Sequence, residues 1–153
     1  MCTCATLNRR RLLGLVPGLA AAALAGPLAA CGDKTGPRPV RWGQDTCDYC
    51  GTVIKDPHFA GEVRDGTGQR LWKFDDIGCA AMFLAKQPWT DDIRAEFWAG
   101  DIDHGSWLDG RLAWFVPGIK SPKSYDFGAV ANKRPGALTF TEFRAAIAAR
   151  KPA

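Results

Sequence analysis

The sequence predicts an α+β fold built from two small, related strand–strand–helix (ββα-type) units. Short runs in which apolar and polar residues alternate, separated by turn signals, indicate strands. Two apolar segments, each preceded by a residue that can cap a helix, indicate one helix at the end of each unit. With 46% hydrophobic and 24% charged residues among 153, the chain has the composition of a globular domain.

The first unit is predicted over about residues 45–88. Its elements are strands over residues 59–64 and 70–74 and a helix over residues 76–86. The Asp-Gly-Thr-Gly sequence between the two strands favours a hairpin turn. Asp75 or Asp76 supplies the short side-chain oxygen that accepts the free amide hydrogens of the first helical turn, and Pro88 stops the helix.

The second unit is predicted over about residues 89–150 and repeats this plan. Its elements are strands over residues 94–102 and 111–116, a short strand at 138–140 and a helix from about residue 141 to 150. Residues 72–77 and 138–143 follow the same order of short strand, phenylalanine, capping residue and apolar helix start. This repeat is the basis for expecting two related units.

The first thirty residues are predicted to be a lipoprotein-type signal peptide. Three arginines at residues 9–11 precede an apolar run that ends at Ala30, and this run is interrupted by Pro17 and Pro27. Residues 28–31 resemble the lipobox of bacterial lipoproteins, which implies lipidation at Cys31. The alternative is an ordinary signal peptide, and both general and twin-arginine export stay open. Residues 31–44 are then a flexible tether on the periplasmic side of a bacterial membrane.

Charge and motifs narrow the classes of function. Loss of three arginines with the signal peptide lowers the formal net charge from +4 to about +1, which argues against a nucleic-acid partner. The sequence has no GxSxG, no Walker loop and no HExxH. We therefore predict no catalytic residues and a protein that is not an enzyme.

Three cysteines remain once the signal peptide is removed and Cys31 is lipidated. Cys47 and Cys50 form a CxxC motif followed by Gly51, which permits a tight turn, and Cys79 lies in the first predicted helix. Thiolates are soft donors that favour copper(I), zinc and iron–sulfur clusters, and too few thiols remain for a cluster. The alternatives are a disulfide, a redox pair, or structural zinc completed by His58 or His104.

Other candidate ligands follow from spacing. Met82 lies at i+3 from Cys79 and shares a helix face with it, although both residues also suit core packing. His58 is the imidazole nearest to the CxxC motif in sequence, whereas His104 suits a solvated turn. The predicted metal ligands are Cys47, Cys50, His58, Cys79 and Met82.

Several blocks of sequence carry a family resemblance. They are residues 47–57, 74–77, 107–109, 113–116 and 121–122. In order and spacing they resemble the NosL family of lipoproteins from denitrifying bacteria. The resemblance implies a copper(I) chaperone that assists assembly of the copper–sulfide centre of nitrous oxide reductase, and the family's pair of ββα-type units agrees with the predicted fold.

Two positions depart from the family pattern. Thr52 and Lys123 stand where family members usually have methionines, so only Cys50 and Cys47 carry over as ligands. The resulting hypothesis is a membrane-anchored periplasmic copper(I)-binding protein that takes its ion from a copper donor and passes it to a copper enzyme. The rival interpretations are a CxxC thiol–disulfide oxidoreductase and a lipoprotein with a structural zinc or disulfide.

Overall fold

A computed structural model of the protein describes residues 35–150. In chain order its elements are β1 (Gly61–Arg64), β2 (Leu71–Phe74), α1 (Ile77–Ala85), β3 (Glu96–Gly100), β4 (Trp107–Asp109), β5 (Trp114–Pro117), β6 (Phe127–Val130) and α2 (Phe140–Ala148). Neither helix in this part of the chain is long and apolar enough to cross a membrane. The predicted signal peptide and the predicted lipidation site at Cys31 lie outside the described residues.

The strands form two antiparallel sheets, which confirms the α+β class. Four strands pair in the order β2-β1-β3-β4, and β5 pairs with β6. The hairpin predicted in the first unit is present as β1 and β2, with Gly61 opposite Phe74. On its other side β1 pairs with β3, so that Gly61 also faces Ala99. Strands from both halves of the sequence therefore share one sheet.

Helix α1 packs against both the four-stranded sheet and α2. Its sequence is apolar on almost every side, which suits a helix buried between other elements. Gly61 permits the close approach to β1, because a Cβ atom there would lie 2.9 Å from the Cβ of Ala80. A second contact region is aromatic, with the rings of Phe115 and Phe143 stacked 4.0 Å apart between β5 and α2.

Both helices begin at capping residues. Asp76 accepts a hydrogen bond from the Gly78 amide at 2.7 Å, and Thr139 forms a capping box with Glu142. The caps are thus Asp76 and Thr139. The predicted repeat treated Phe74 and Phe140 as equivalent and therefore placed the second cap after Phe140, whereas the structure has it before Phe140. The difference arises because Phe140 is the first residue inside α2 rather than the last strand residue before its cap.

The segment that precedes the CxxC motif lies across the outer face of the four-stranded sheet. The Arg38 amide donates to Oε2 of Glu62 at 2.8 Å, and the Lys73 ammonium donates to the Pro39 carbonyl at 2.6 Å. Part of the segment predicted as a tether over residues 31–44 therefore contacts the sheet. The amino-acid composition of this segment did not predict these contacts, because the segment makes them through its backbone atoms.

Candidate metal centre

The CxxC motif occupies a tight turn at the tip of a short hairpin. Thr46 and Val53 form an antiparallel bridge, and the Cys47 amide donates to the Thr52 carbonyl at 2.8 Å. The Gly51 amide returns to the Cys47 carbonyl at 2.9 Å. This turn places Gly51 at φ +75°, a left-handed conformation that glycine adopts without steric cost.

Asp48 fixes this hairpin to the edge of the sheet. Its amide donates to the Lys73 carbonyl at 2.8 Å, and its carboxylate accepts from the Lys73 amide at 2.7 Å. Lys73 lies on β2, which leads directly into α1. The CxxC turn is consequently held beside the N-terminus of α1, where Asp75 and Cys79 lie.

Four donor residues converge at this place. Cys47, Cys50, Asp75 and Cys79 each offer one ligand atom, and these atoms lie within 4.8 Å of one another. We call this group the thiol cluster. Cys47, Asp75 and Cys79 are at most 4% exposed, whereas Cys50 is exposed. Solvent therefore reaches the thiol cluster at Cys50. All three thiols in this part of the chain are free.

The environment of Cys47 favours its thiolate form. A hydrogen bond from the Cys79 thiol lowers the pKa of Cys47 to about 7, and the backbone amides of Asp75, Cys50 and Tyr49 act in the same direction against the effect of burial. The same hydrogen bond, together with burial, raises the pKa of Cys79. One buried sulfur is therefore readily deprotonated and its neighbour serves as the hydrogen-bond donor.

Of the two aspartates predicted as alternative caps, Asp76 takes that role and Asp75 has another. It does not cap α1, since Asp76 does so; its Oδ1 instead accepts a hydrogen bond from the Cys50 thiol at 3.3 Å. Its other oxygen, Oδ2, is buried and has no hydrogen-bond partner among the residues that the structure describes. Burial raises the pKa of Cys50.

The other two predicted ligands, Met82 and His58, have different surroundings. Met82 lies one turn after Cys79 on α1 and packs, half-buried, against the core. His58 pairs with Asp56, with its Nδ1 2.8 Å from the carboxylate Oδ1, and is not among the donors that converge. Its loop instead lies against Gly105.

The two residues that depart from the NosL pattern have other contacts here. The Thr52 carbonyl accepts a hydrogen bond from the Cys47 amide at 2.8 Å, and the Thr52 side chain and amide oppose the rise in the pKa of Cys50. The Lys123 amide donates to Oδ2 of Asp76 at 2.9 Å. Ser121 from the same block donates its hydroxyl to this oxygen at 2.6 Å. The Ser-Pro block thus supports the start of α1.

A second group of donors consists of Asp101, Asp103 and His104. Nδ1 of His104 lies 2.9 Å from Asp101, and the Arg134 guanidinium pairs with Asp103. His104 and Asp103 are exposed, and a protein cation already occupies one carboxylate. These contacts account for the group as a surface hydrogen-bond network.

Comparison with known proteins identifies one similar fold. No protein-family model matches the sequence, and no curated protein sequence matches it either. The chain is similar to the crystal structure of the copper chaperone NosL from Shewanella denitrificans, with a TM-score of 0.54 and 19% sequence identity. The match covers 73% of this chain and 86% of that chain. The two proteins therefore share a NosL-like fold.

Proposed function

We propose that this protein is a copper(I) chaperone that binds its ion at the thiol cluster. The observation that carries the proposal is the convergence of three sulfur donors, Cys47, Cys50 and Cys79, around one point. Sulfur donors of this kind select soft ions such as copper(I). The NosL-like fold supports the proposal, since the similar structure is that of a copper chaperone.

The burial of the sulfurs suits transfer as well as binding. Cys47 supplies a thiolate near neutral pH and anchors the ion from the inside. Cys50 is exposed, so a soft ligand of an acceptor protein reaches the ion on that side. The acceptor's ligand bonds to the low-coordinate copper as the Cys50 sulfur leaves, and the oxidation state of the ion does not change. No catalytic residue is needed.

The proposal includes the cellular address and the partners. The predicted signal peptide and the predicted lipidation at Cys31 support a location on the periplasmic side of a bacterial membrane, with a lipid anchor. The resemblance of the sequence blocks to the NosL family names nitrous oxide reductase as the client enzyme. A separate copper donor supplies the ion.

The exposure and the pKa values of the two motif thiols argue against a thiol–disulfide oxidoreductase. Such enzymes need a thiol that is both accessible and low in pKa, usually at a helix N-terminus. Here the thiol with the lowered pKa, Cys47, is 3% exposed, whereas the exposed thiol, Cys50, has a raised pKa. The CxxC motif also lies in a hairpin turn rather than at the start of a helix.

An anaerobic copper(I) titration tests the proposal. Residues 31–153, which contain the whole folded unit, are reduced and compete for copper(I) against a chromophoric chelator in a Cys31→Ser background. We expect equimolar binding, weakened by at least about 100-fold in the Cys47→Ser and Cys50→Ser variants, because each loses a directly bound sulfur.

His58→Ala is the matched control, because His58 is paired with Asp56 and is not among the converging donors. Its copper(I) affinity should equal that of the parent protein. The proposal fails if the protein binds no copper(I), or if the Cys47→Ser/Cys50→Ser double variant binds it as tightly as the parent.

A further inference from the structure

Two exposed aliphatic side chains lie at one end of the four-stranded sheet. Ile93 is 89% exposed and Leu112 is 78% exposed. Arg111, the residue before Leu112, donates from its guanidinium to the carbonyl of Asp92 at 3.0 Å, and Asp92 directly precedes Ile93. Asp92 also packs against the turn between β1 and β2, where a Cβ atom on Gly66 would clash with its carboxylate. Contacts therefore bring together the two loops that carry Ile93 and Leu112, which we call the apolar pair.

The register of the strands places the apolar pair and the thiol cluster at opposite ends of this sheet. Strand β1 ends where β2 and β3 begin, because Arg64 pairs with both Leu71 and Glu96. Strand β4 is antiparallel to β3 and runs toward the same end. The apolar pair flanks this end, just before β3 and just after β4. Strand β2 leads away from it to Phe74, and the thiol cluster begins at the next residue, Asp75.

The N-terminal segment enters the folded domain at the end that carries the apolar pair. The Gly36 amide donates to Oε2 of Glu96 at 3.0 Å, and the Arg64 guanidinium donates to the Gly36 carbonyl. Cys31 precedes Gly36 by five residues in the sequence, and five residues span at most about 18 Å when fully extended. A lipid on Cys31 would therefore hold this end of the sheet close to the bilayer.

We propose that the apolar pair inserts into the surface of the bilayer that holds the lipid anchor. The inference rests on the anchor at Cys31, which is part of the proposed function. Exposed aliphatic side chains gain free energy on transfer into the apolar part of the membrane interface. The anchor makes this transfer an intramolecular step, so that two side chains are sufficient to orient the domain. The thiol cluster then lies on the side of the domain that faces away from the bilayer.

Charges near the apolar pair do not select an anionic lipid. Arg94 is paired with Asp92 at 2.8 Å. The Arg111 guanidinium is engaged by the carbonyls of Ala95 and Asp92. Because these arginines have partners within the protein, we expect burial of apolar surface, rather than attraction to lipid headgroups, to drive the contact. The association should depend little on the salt concentration.

A single acyl chain makes the contribution of the apolar pair measurable. Residues 31–153 with Cys31→Gly begin with the sequence Gly-Gly-Asp-Lys-Thr, which fits the N-myristoylation motif. One myristoyl chain alone gives marginal, reversible binding, with an association constant of about 10⁴ M⁻¹. Partition of this protein into phosphatidylcholine vesicles is measured by sedimentation. We expect Ile93→Ser and Leu112→Ser each to weaken the partition by on the order of tenfold, because an aliphatic side chain is lost from the interface.

Trp42→Ser is the matched control. Trp42 is also a large exposed apolar side chain, at 41%, but its neighbour Gly43 donates to the Ile54 carbonyl, beside the CxxC hairpin. Partition of this variant should equal that of the parent. Vesicles that also contain phosphatidylserine should bind the parent to within about threefold of phosphatidylcholine alone, since the arginines near the apolar pair have partners. Circular dichroism of each variant verifies the fold.

Nuclear magnetic resonance with a doxyl-labelled phosphatidylcholine locates the inserted surface without a variant. Amide signals of residues 93 and 112 in the myristoylated protein should be broadened most, and those of residues 47–50 least. Strongest broadening at residues 47–50 would overturn the inference. So would equal partition of the parent and the Ile93→Ser/Leu112→Ser double variant. Self-association of the lipid-free protein that the double variant loses, with unchanged partition, would assign the apolar pair to a second copy of the chain instead.

Failure of this inference is distinguishable from failure of the proposed function. Mass spectrometry of the full chain after export by a bacterium shows whether Cys31 is acylated, and an unacylated Cys31 would refute the anchor and this inference together. An acylated Cys31 with no effect of the double variant on partition would refute the inference alone. Copper(I) affinity of the double variant should equal that of the parent, because the thiol cluster lies at the opposite end of the sheet.

Discussion

The Cys79 sulfur lies within 4.8 Å of the Cys47 sulfur, and this contact joins the buried face of α1 to the CxxC turn. Both side chains belong to the apolar core, at 1% and 3% exposure. Interaction with the Cys79 thiol lowers the pKa of Cys47 in a place where burial alone would raise it. This relationship makes Cys47 the first thiol of the cluster to lose its proton.

Removal of the donor should raise the pKa of Cys47. In metal-free protein, ultraviolet thiolate absorbance should show a first titration step at a pH of about 7. In Cys79→Ala this step should move up toward 9.0, the ordinary value for the group. Cys79→Ser should restore much of the shift, because its hydroxyl can still donate. An unchanged first step in Cys79→Ala would contradict the assigned hydrogen bond.

The two helix caps should differ in their contribution to stability. Oxygens of Asp76 accept from the buried Gly78 amide, the buried Ser121 hydroxyl and the half-buried Lys123 amide. Asp76→Ala leaves these donors unsatisfied and should lower the free energy of unfolding by about 2–4 kcal/mol. Urea unfolding of the metal-free protein measures this loss.

Thr139→Ala is the comparison, because Thr139 caps α2 at an exposed position. Its expected cost is about 1 kcal/mol. Equal losses for the two variants would show that the Ser121 and Lys123 hydrogen bonds add nothing to the Asp76 cap.

Local signals were sufficient for the hairpin and both helices. The turn sequence between β1 and β2 and the Asp76 cap of α1 are short-range features that the structure confirms, whereas α2 is capped by Thr139, before Phe140 rather than after it. β4 and β6 were not predicted. β4 has only three residues, and β6 has the sequence Phe-Gly-Ala-Val, in which glycine and alanine have low strand propensity. Pairing with β3 and β5 forms these strands, and this pairing is tertiary information.

The thiol cluster was predictable only in part. The CxxC spacing and the odd number of thiols led to Cys47, Cys50 and Cys79. Asp75 was missed because helix capping was a sufficient explanation for either aspartate before α1. A helix has one N-cap residue, so only one of the two adjacent aspartates could be explained by capping. The other aspartate could therefore have been recognised as a candidate ligand. His58 was placed with the CxxC motif by sequence proximity alone, whereas its loop lies against Gly105.

Glu62 should make the protein less stable as the pH rises. It is fully buried at the centre of the sheet, and its Oε1 has no hydrogen-bond partner among residues 35–150. Burial raises the pKa of Glu62 from 4.5 to about 7. Between these values the folded state holds a proton that the unfolded state has lost. The stabilising contribution is therefore complete below pH 4.5 and is lost as the pH rises through 7.

The expected loss is about 3 kcal/mol of unfolding free energy. Urea unfolding of the metal-free protein at several pH values measures it, and Glu62→Gln should flatten the decline over this range. Glutamine keeps an acceptor for the Arg38 amide, so the slope with pH, rather than the absolute stability, is the diagnostic quantity. A decline of the same size in Glu62→Gln would assign the effect to other groups.

Access, rather than pKa, should decide which thiol reacts first with an alkylating reagent. Cys47 has the lower pKa but is 3% exposed, whereas Cys50 has a raised pKa and is an exposed residue. Thiolate chemistry requires contact between the reagent and the sulfur, so burial outweighs the larger thiolate fraction of Cys47. In a Cys31→Ser background, peptide mass mapping after brief iodoacetamide treatment should find the label at Cys50, with Cys47 and Cys79 labelled only on the timescale of unfolding.

Equimolar copper(I) should protect Cys50, because the sulfur is then bound to the ion. Rapid labelling of Cys47 would instead indicate an accessible, activated thiol and would favour the oxidoreductase interpretation over that of a carrier.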